Sequence, residues 1–222
     1  MTRPYSPLSP RQSALLSSVA RFHQLTSSQL RRLHFTTGTP RGRRVRCSRA
    51  LARLVALGLL TRLARVQGGY GGGSGEHVYQ VPSNRSRGPD FHTLDIAELY
   101  VRMAEVTARN GAQLVAFDPE PWAHTRIGHT ELKPDAFVDL GTFRFYIEVD
   151  RGSEYRSQLA AKMRRYVRAY DQAEGGTFPL VVWVVPDLDR QRFVQGVVKR
   201  QAVPELFAVV LFDEAAQYLT RG

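Results

Sequence analysis

Cysteine occurs once in the 222 residues, at Cys47. That excludes an internal disulfide and a zinc site built from several thiolates. No run of 18 apolar residues occurs, so no transmembrane helix is expected. The N-terminus, MTRPYSPLSPRQ, lacks the apolar stretch of a secretory leader, and a cytoplasmic location is expected. Lysine is scarce as well: Lys133, Lys162 and Lys199 are the only lysines among 31 basic residues. The most telling shortage is of acids. Residues 1–92 contain 15 arginines but only Glu76 and Asp90, a net +13, while the remainder stands at −2 in a chain of +11. A coding bias can favour arginine over lysine, but it does not remove acids from one half. Such asymmetry points to a nucleic-acid-binding front and a differently tasked back.

What is present in the front half reads as three helices and a hairpin. Ser9-Pro10 opens a first helix with Leu15, Leu16 and Val19 as its apolar stripe. A second begins at Thr26 and carries Leu30 and Leu33. After the breaker TGTPRG, the segment RRVRCSRALARLVALG predicts a third helix ending at Gly58, with Val45, Leu51, Leu54, Val55 and Leu57 inward. LLTRLARV and EHVYQV alternate like strands and flank QGGYGGGSG, a flexible tip bearing Tyr70. That tip is no phosphate loop, because no Gly-Lys-Ser/Thr follows.

Three helices and a β-hairpin is the winged helix-turn-helix order, in which the third helix enters the major groove of double-stranded DNA by its N-terminal end. Arg41, Arg43, Arg44, Arg46 and Arg49 crowd that end, and Arg53 follows one turn on. Guanidinium forks there suit guanine edges or phosphates. A small helical domain whose arginine face is solvated, or meets a protein, is the other reading.

The domain expectation is a winged helix-turn-helix over 1–82, a linker over 83–91 within VPSNRSRGPD, and a second domain over 92–222. The second domain begins with an amphipathic helix, FHTLDIAELYVRMAEVTARNG, with Leu94, Ala97, Val101 and Ala104 inward. QLVAFDPE, LKPDAFVDL and GTFRFYIEVD read as strands, and a helix capped by Ser153 carries Leu159, Met163, Tyr166 and Tyr170. FPLVVWVVP is an uninterrupted apolar strand expected inside the sheet. The alternation that follows predicts an α/β domain with helices around a mixed sheet. The basic helix over 153–170 exposes Arg156, Arg164, Arg165 and Arg168, which could reach DNA phosphates. His77, His92, His124 and His129 have no helical metal-ligand spacing and read as scattered surface residues.

Period-two geometry sorts the carboxylates. Arg144, Tyr146, Glu148 and Asp150 share one face of their strand, and a hairpin could bring Asp135 beside Glu148. Two or three convergent carboxylates are what Mg²⁺ takes. The same residues have plainer readings. Asp150-Arg151-Gly152-Ser153 could be a strand end and helix cap, Glu148 a buried acid paired with Arg144 or Lys162, and Asp135 a residue shaping the strand entrance.

Pro134-Asp135, twelve residues, then Glu148-Val149-Asp150 resembles the PD-(D/E)XK nuclease core. A predicted winged helix followed by Pro134-Asp135-Ala136, Glu148-Val149-Asp150-Arg151-Gly152 and Lys162 with Tyr166 resembles the replication-relaxation family of bacterial plasmids and integrated elements. The resemblance implies a winged helix-turn-helix joined to a nuclease-like domain, with Asp135, Glu148 and Asp150 as metal ligands for Mg²⁺, or Mn²⁺, if the site is active. It also implies a further acid from the first helix, for which Glu98 is best placed. The nuclease pattern expects lysine where Asp150 stands, so Lys162 or Arg165 would supply the cation. Two functions follow. One is a DNA-binding protein acting in replication control or maintenance, associated with nucleoid or plasmid, whose second domain is catalytically degenerate. The other is a Mg²⁺-dependent endonuclease or nickase delivered by the winged helix. A homodimer and element-encoded replication proteins are left open as partners; a membrane is not expected.

Overall fold

Local chemistry starts each helix of the front half. In the computed structural model, which describes residues 7–66, 75–82, 88–173 and 178–221, helix α1 (Pro10–Phe22) begins at Pro10 behind a reciprocal cap. The Ser9 hydroxyl accepts from the Gln12 N–H at 3.3 Å, and the Gln12 side chain accepts from the Ser9 N–H at 2.9 Å. Helix α2 (Ser27–His34) repeats the device with Thr26 and Gln29, at 3.2 and 2.9 Å. Removing the hydroxyl with Thr26→Ala should lower stability by about 1 kcal/mol. Urea unfolding followed by circular dichroism checks this, and an unchanged midpoint would deny the cap its role.

Helix α3 (Pro40–Ala56) starts behind Thr39, whose hydroxyl accepts from the Gly42 N–H at 3.1 Å. Its buried stripe is Cys47, Leu51 and Leu54. Val45 and Leu57, expected inward, are 41% and 38% exposed. The stripe spaced i, i+4, i+7 from Cys47 sets the helix phase, and Val45 lies about 200° from it. Strands β2 (Thr61–Val66) and β3 (Glu76–Gln80) form the expected antiparallel pair. A three-residue strand not expected from sequence, β1 (Gln24–Thr26), joins β3 to give the order β1-β3-β2. The glycine-rich tip with Tyr70, and residues 83–87 of the expected linker, lie outside the described residues.

Helix α4 (Phe91–Asn110) is buried along Leu94–Leu99. The chain divides into two compact units, Met1–Val101 and Arg102–Gly222, so the division falls inside α4. Side chains from the first half of α4 explain its place in unit one. Leu94 packs with Val66 and Val78, and Tyr100 stacks against Phe22 at 5.0 Å.

Unit two is built on β4 (Ala116–Pro119), β7 (Ala136–Asp139), β8 (Arg144–Val149), β9 (Leu180–Val185) and β10 (Phe207–Leu211). The sheet order is β10-β9-β8-β7-β4. Strands β8, β9 and β10 run parallel, and β7 is antiparallel to both β8 and β4. The apolar β9 lies inside the sheet, as its sequence predicts. A short hairpin of β5 (Thr125–Ile127) and β6 (Thr130–Leu132) holds the segment read from sequence as a histidine-bearing loop. Helices α5 (Arg156–Asp171), α6 (Leu188–Val198) and α7 (Phe212–Thr220) complete the unit. Ser153 does not cap α5: Tyr155 is the capping residue, and its N–H is held by the Gln158 side chain at 2.8 Å. Tyr146, Val181, Trp183 and Val185 pack with Leu159, Met163 and Tyr166 of α5 and Val194 of α6. The described residues thus form an α/β protein with seven α-helices and a mixed sheet.

Candidate functional site

In unit one the arginines of α3 stand out in the open. Arg41, Arg44, Arg46, Arg49 and Arg53 are exposed and Arg43 is half-buried. The Arg46 guanidinium donates to the Thr37 carbonyl, which ties it to the turn before the helix. Exposed Val45 lies among them. The two acids of residues 1–92 are both engaged by backbone donors. Glu76 accepts from the Ser28 N–H at 3.2 Å, and Asp90 accepts from the N–H groups of His92 and Thr93 at 3.0 and 3.4 Å. Burial pushes the Cys47 thiol up to about 11, with Arg31 opposing and Glu76 adding to the shift, so it is a core residue rather than a nucleophile.

Glu98, expected beside the carboxylates, is placed by α4 within unit one. Arg32 donates to it at 2.7 Å and Gln29 at 3.3 Å, and its side chain is 3% exposed.

In unit two the strands sort the remaining acids. Glu148 points from β8 into the face covered by α5 and is 1% exposed. The Tyr166 hydroxyl donates to its Oε1 at 2.6 Å, and the Lys162 ammonium lies 2.6 Å from Oε2. Lys162 and Tyr166 are four residues apart, one helical turn, so α5 presents both to one carboxylate. The Lys162 ammonium also sits 5.4 Å from the centre of the Trp183 ring, and Trp183 pairs in register with Glu148. Asp135 stands just before β7. Its N–H donates to the Ile147 carbonyl at 3.0 Å, and its Oδ2 accepts from the Val149 N–H at 2.7 Å, across the strand pair from Glu148.

These neighbours set the charges. Burial, then repulsion from Asp135, pushes the Glu148 carboxyl up to about 8 against the pull of Lys162 and Tyr166. For Lys162, burial works downward, but Glu148 and Asp135 outweigh it and hold the ammonium above its ordinary value. Burial, then the Glu148 charge, raises the Tyr166 hydroxyl well above its ordinary value, so it stays a donor.

Asp150 has a different partner from the other two acids. Arg190, on the first turn of α6, grips it with Nε at 2.7 Å from Oδ2 and Nη2 at 3.1 Å from Oδ1. Oδ1 also accepts from the Gly152 N–H at 2.7 Å, and Arg190 reaches on to the Glu154 carbonyl at 2.8 Å. Asp150 is thus engaged by Arg190, while Glu148 is engaged by Lys162 and Tyr166. Both oxygens of Glu148 and both of Asp150 are already held by cationic, hydroxyl or backbone donors. Sequence reasoning missed Arg190, which lies 40 residues from Asp150 with no local pattern linking them. It also missed Glu120, whose carboxylate oxygen lies within 4.8 Å of one on Asp135.

The fold and these sites define an α/β protein with an arginine-faced helical unit and a mixed-sheet unit that buries a Glu-Lys-Tyr cluster. A family described as replication-relaxation matches it over residues 16–84 and 81–181. The chain belongs to the replication-relaxation family. No curated protein matches it.

Proposed function

We propose that the chain is a DNA-binding protein of a plasmid or mobile element, acting in replication control or maintenance. Unit one is a winged helix-turn-helix that reads duplex DNA through α3, and unit two is a PD-(D/E)XK nuclease-like domain that is catalytically degenerate. One observation carries this reading: five exposed arginines on α3, in a segment whose only two acids are engaged by backbone N–H groups. Charge of one sign concentrated on a helix face attracts phosphates, and arginines near its N-terminal turns are placed to reach base edges. Exposed Val45 adds an apolar side chain of the kind that meets a thymine methyl.

Arg44→Ala and Arg46→Ala should each cost about 10- to 100-fold in preference for the cognate site over random DNA. Binding selection on randomised duplexes, followed by titration at fixed salt, measures it. Site preference untouched in both variants would sink the reading.

A second reading, a Mg²⁺-dependent endonuclease or nickase, is favoured by one arrangement. Lys162, the relocated cation, rests on Glu148, whose charge is coupled to Asp135, and Glu120 lies close by. On the degenerate reading, purified protein leaves supercoiled cognate plasmid intact with Mg²⁺ or Mn²⁺. Metal-dependent nicking abolished by Asp135→Ala would establish the enzyme instead.

A further inference from the structure

Unit two carries a basic surface that neither reading above uses. Arg156, Arg164 and Arg168 recur along α5 at intervals of eight and four, so they follow one ridge of the helix. Together with Arg200, just past the end of α6, they line a groove of about 480 Å³ that Ala160 and Val197 also line. No acid among the described residues lines this groove. Arg164, Arg168 and Arg200 are exposed and make no ion pair among the described residues. Arg156 is held in place by stacking on Phe193 at 4.9 Å, a ring that Arg190 also covers at 4.9 Å. Four other arginines of the unit do pair with acids: Arg190 with Asp150, Arg102 with Asp213, Arg144 with Asp139 and Arg192 with Asp189.

The geometry points to a second phosphate-binding surface, a groove between α5 and α6 that takes the phosphodiester backbone of nucleic acid without reading its sequence. Length argues for a polymer. Arg156 and Arg168 lie about 18 Å apart along the helix, at roughly 1.5 Å per residue. A single phosphate touches one or two of these guanidiniums, whereas a backbone with a charge at every nucleotide engages them all. Composition argues against base readout, because apart from Gln201 the lining consists of arginines and apolar residues, with no acid or asparagine to read a base edge. The surface belongs to unit two alone and does not depend on α3 reading bases, so each claim can fail without the other.

The test uses the full chain and a salt series of affinities for a labelled duplex lacking the cognate site. The variant is Arg164→Gln with Arg168→Gln and Arg200→Gln; these side chains are exposed, and thermal melting confirms that it folds. Its slope of log affinity against log salt should fall by up to about 3, roughly one for each phosphate no longer neutralised. The preference for cognate DNA governed by Arg44 and Arg46 should stay as it is. The matching triple lysine variant should keep the slope, and Arg192→Gln, which removes an exposed arginine already paired with Asp189, should not change it. A wild-type slope in the glutamine triple overturns the proposal. So does competition in which tripolyphosphate or polyglutamate displaces the duplex from wild type as well as excess unlabelled duplex does, since the occupant is then a small or acidic anion rather than a nucleic-acid backbone.

Discussion

Arg190→Ala should destabilise unit two by roughly 3–5 kcal/mol, the cost of stranding a buried charge. The Asp150 side chain is 1% exposed and that of Arg190 12%, so in the fold the guanidinium rather than water meets the carboxylate charge. The Glu154 carbonyl loses its donor in the same step. Arg190→Lys should recover only part of the loss, because one ammonium cannot supply the forked pair to Oδ1 and Oδ2 and also reach that carbonyl. Replacing both partners, Asp150→Leu with Arg190→Met, should be milder than Arg190→Ala alone, since no buried charge is then left over. Both tryptophans, Trp122 and Trp183, belong to unit two, so urea unfolding read by tryptophan fluorescence isolates the relevant transition. An Arg190→Ala loss below about 1 kcal/mol would show that the pair is solvated in solution.

The second large effect is on pH dependence. The Glu148 carboxyl rises from 4.5 to about 8 on folding, so the folded state holds its proton more tightly than the unfolded chain does. That contribution to stability is full below about pH 4.5 and is lost as pH rises towards about 8, amounting to a few kcal/mol. Lys162 keeps its proton in both states across this window and adds no slope, because its own shift is upward from 10.5. Glu148→Gln, which retains an oxygen for Lys162 and Tyr166, should flatten the pH profile of unfolding between those limits. The emission of Trp183 should report the same event in a Trp122→Phe background, since the Lys162 ammonium lies against its ring. A wild-type profile in the glutamine variant would place the titration elsewhere.

These expectations differ in how far the sequence foretold them. The caps on α1 and α2, Ser9 with Gln12 and Thr26 with Gln29, join residues three apart, so the chain spells them out. Strand alternation likewise puts Glu148 on one face with Tyr146, and one-turn spacing puts Lys162 beside Tyr166, but only the fold lays α5 over that face. Strands β1, β5 and β6 were invisible: three residues are too few for alternation to register. The inward face of α3 went wrong by phase. Val45 and Leu57 looked apolar enough to be buried, yet the stripe through Cys47 turns them to the surface.

What the sequence determined by itself is the charge asymmetry, the α/β character of the chain, and the residue types that carry the replication-relaxation family pattern. Tertiary structure alone decided the partners. Asp150 belongs to Arg190, 40 residues away, and Glu98 belongs to Arg32, 66 residues away. A carboxylate's role follows from which donor desolvates and neutralises it, and that donor comes from wherever the fold brings two distant segments together. Asp150 stands where a nuclease lysine was expected, and the arginine that neutralises it is supplied by the next helix but one.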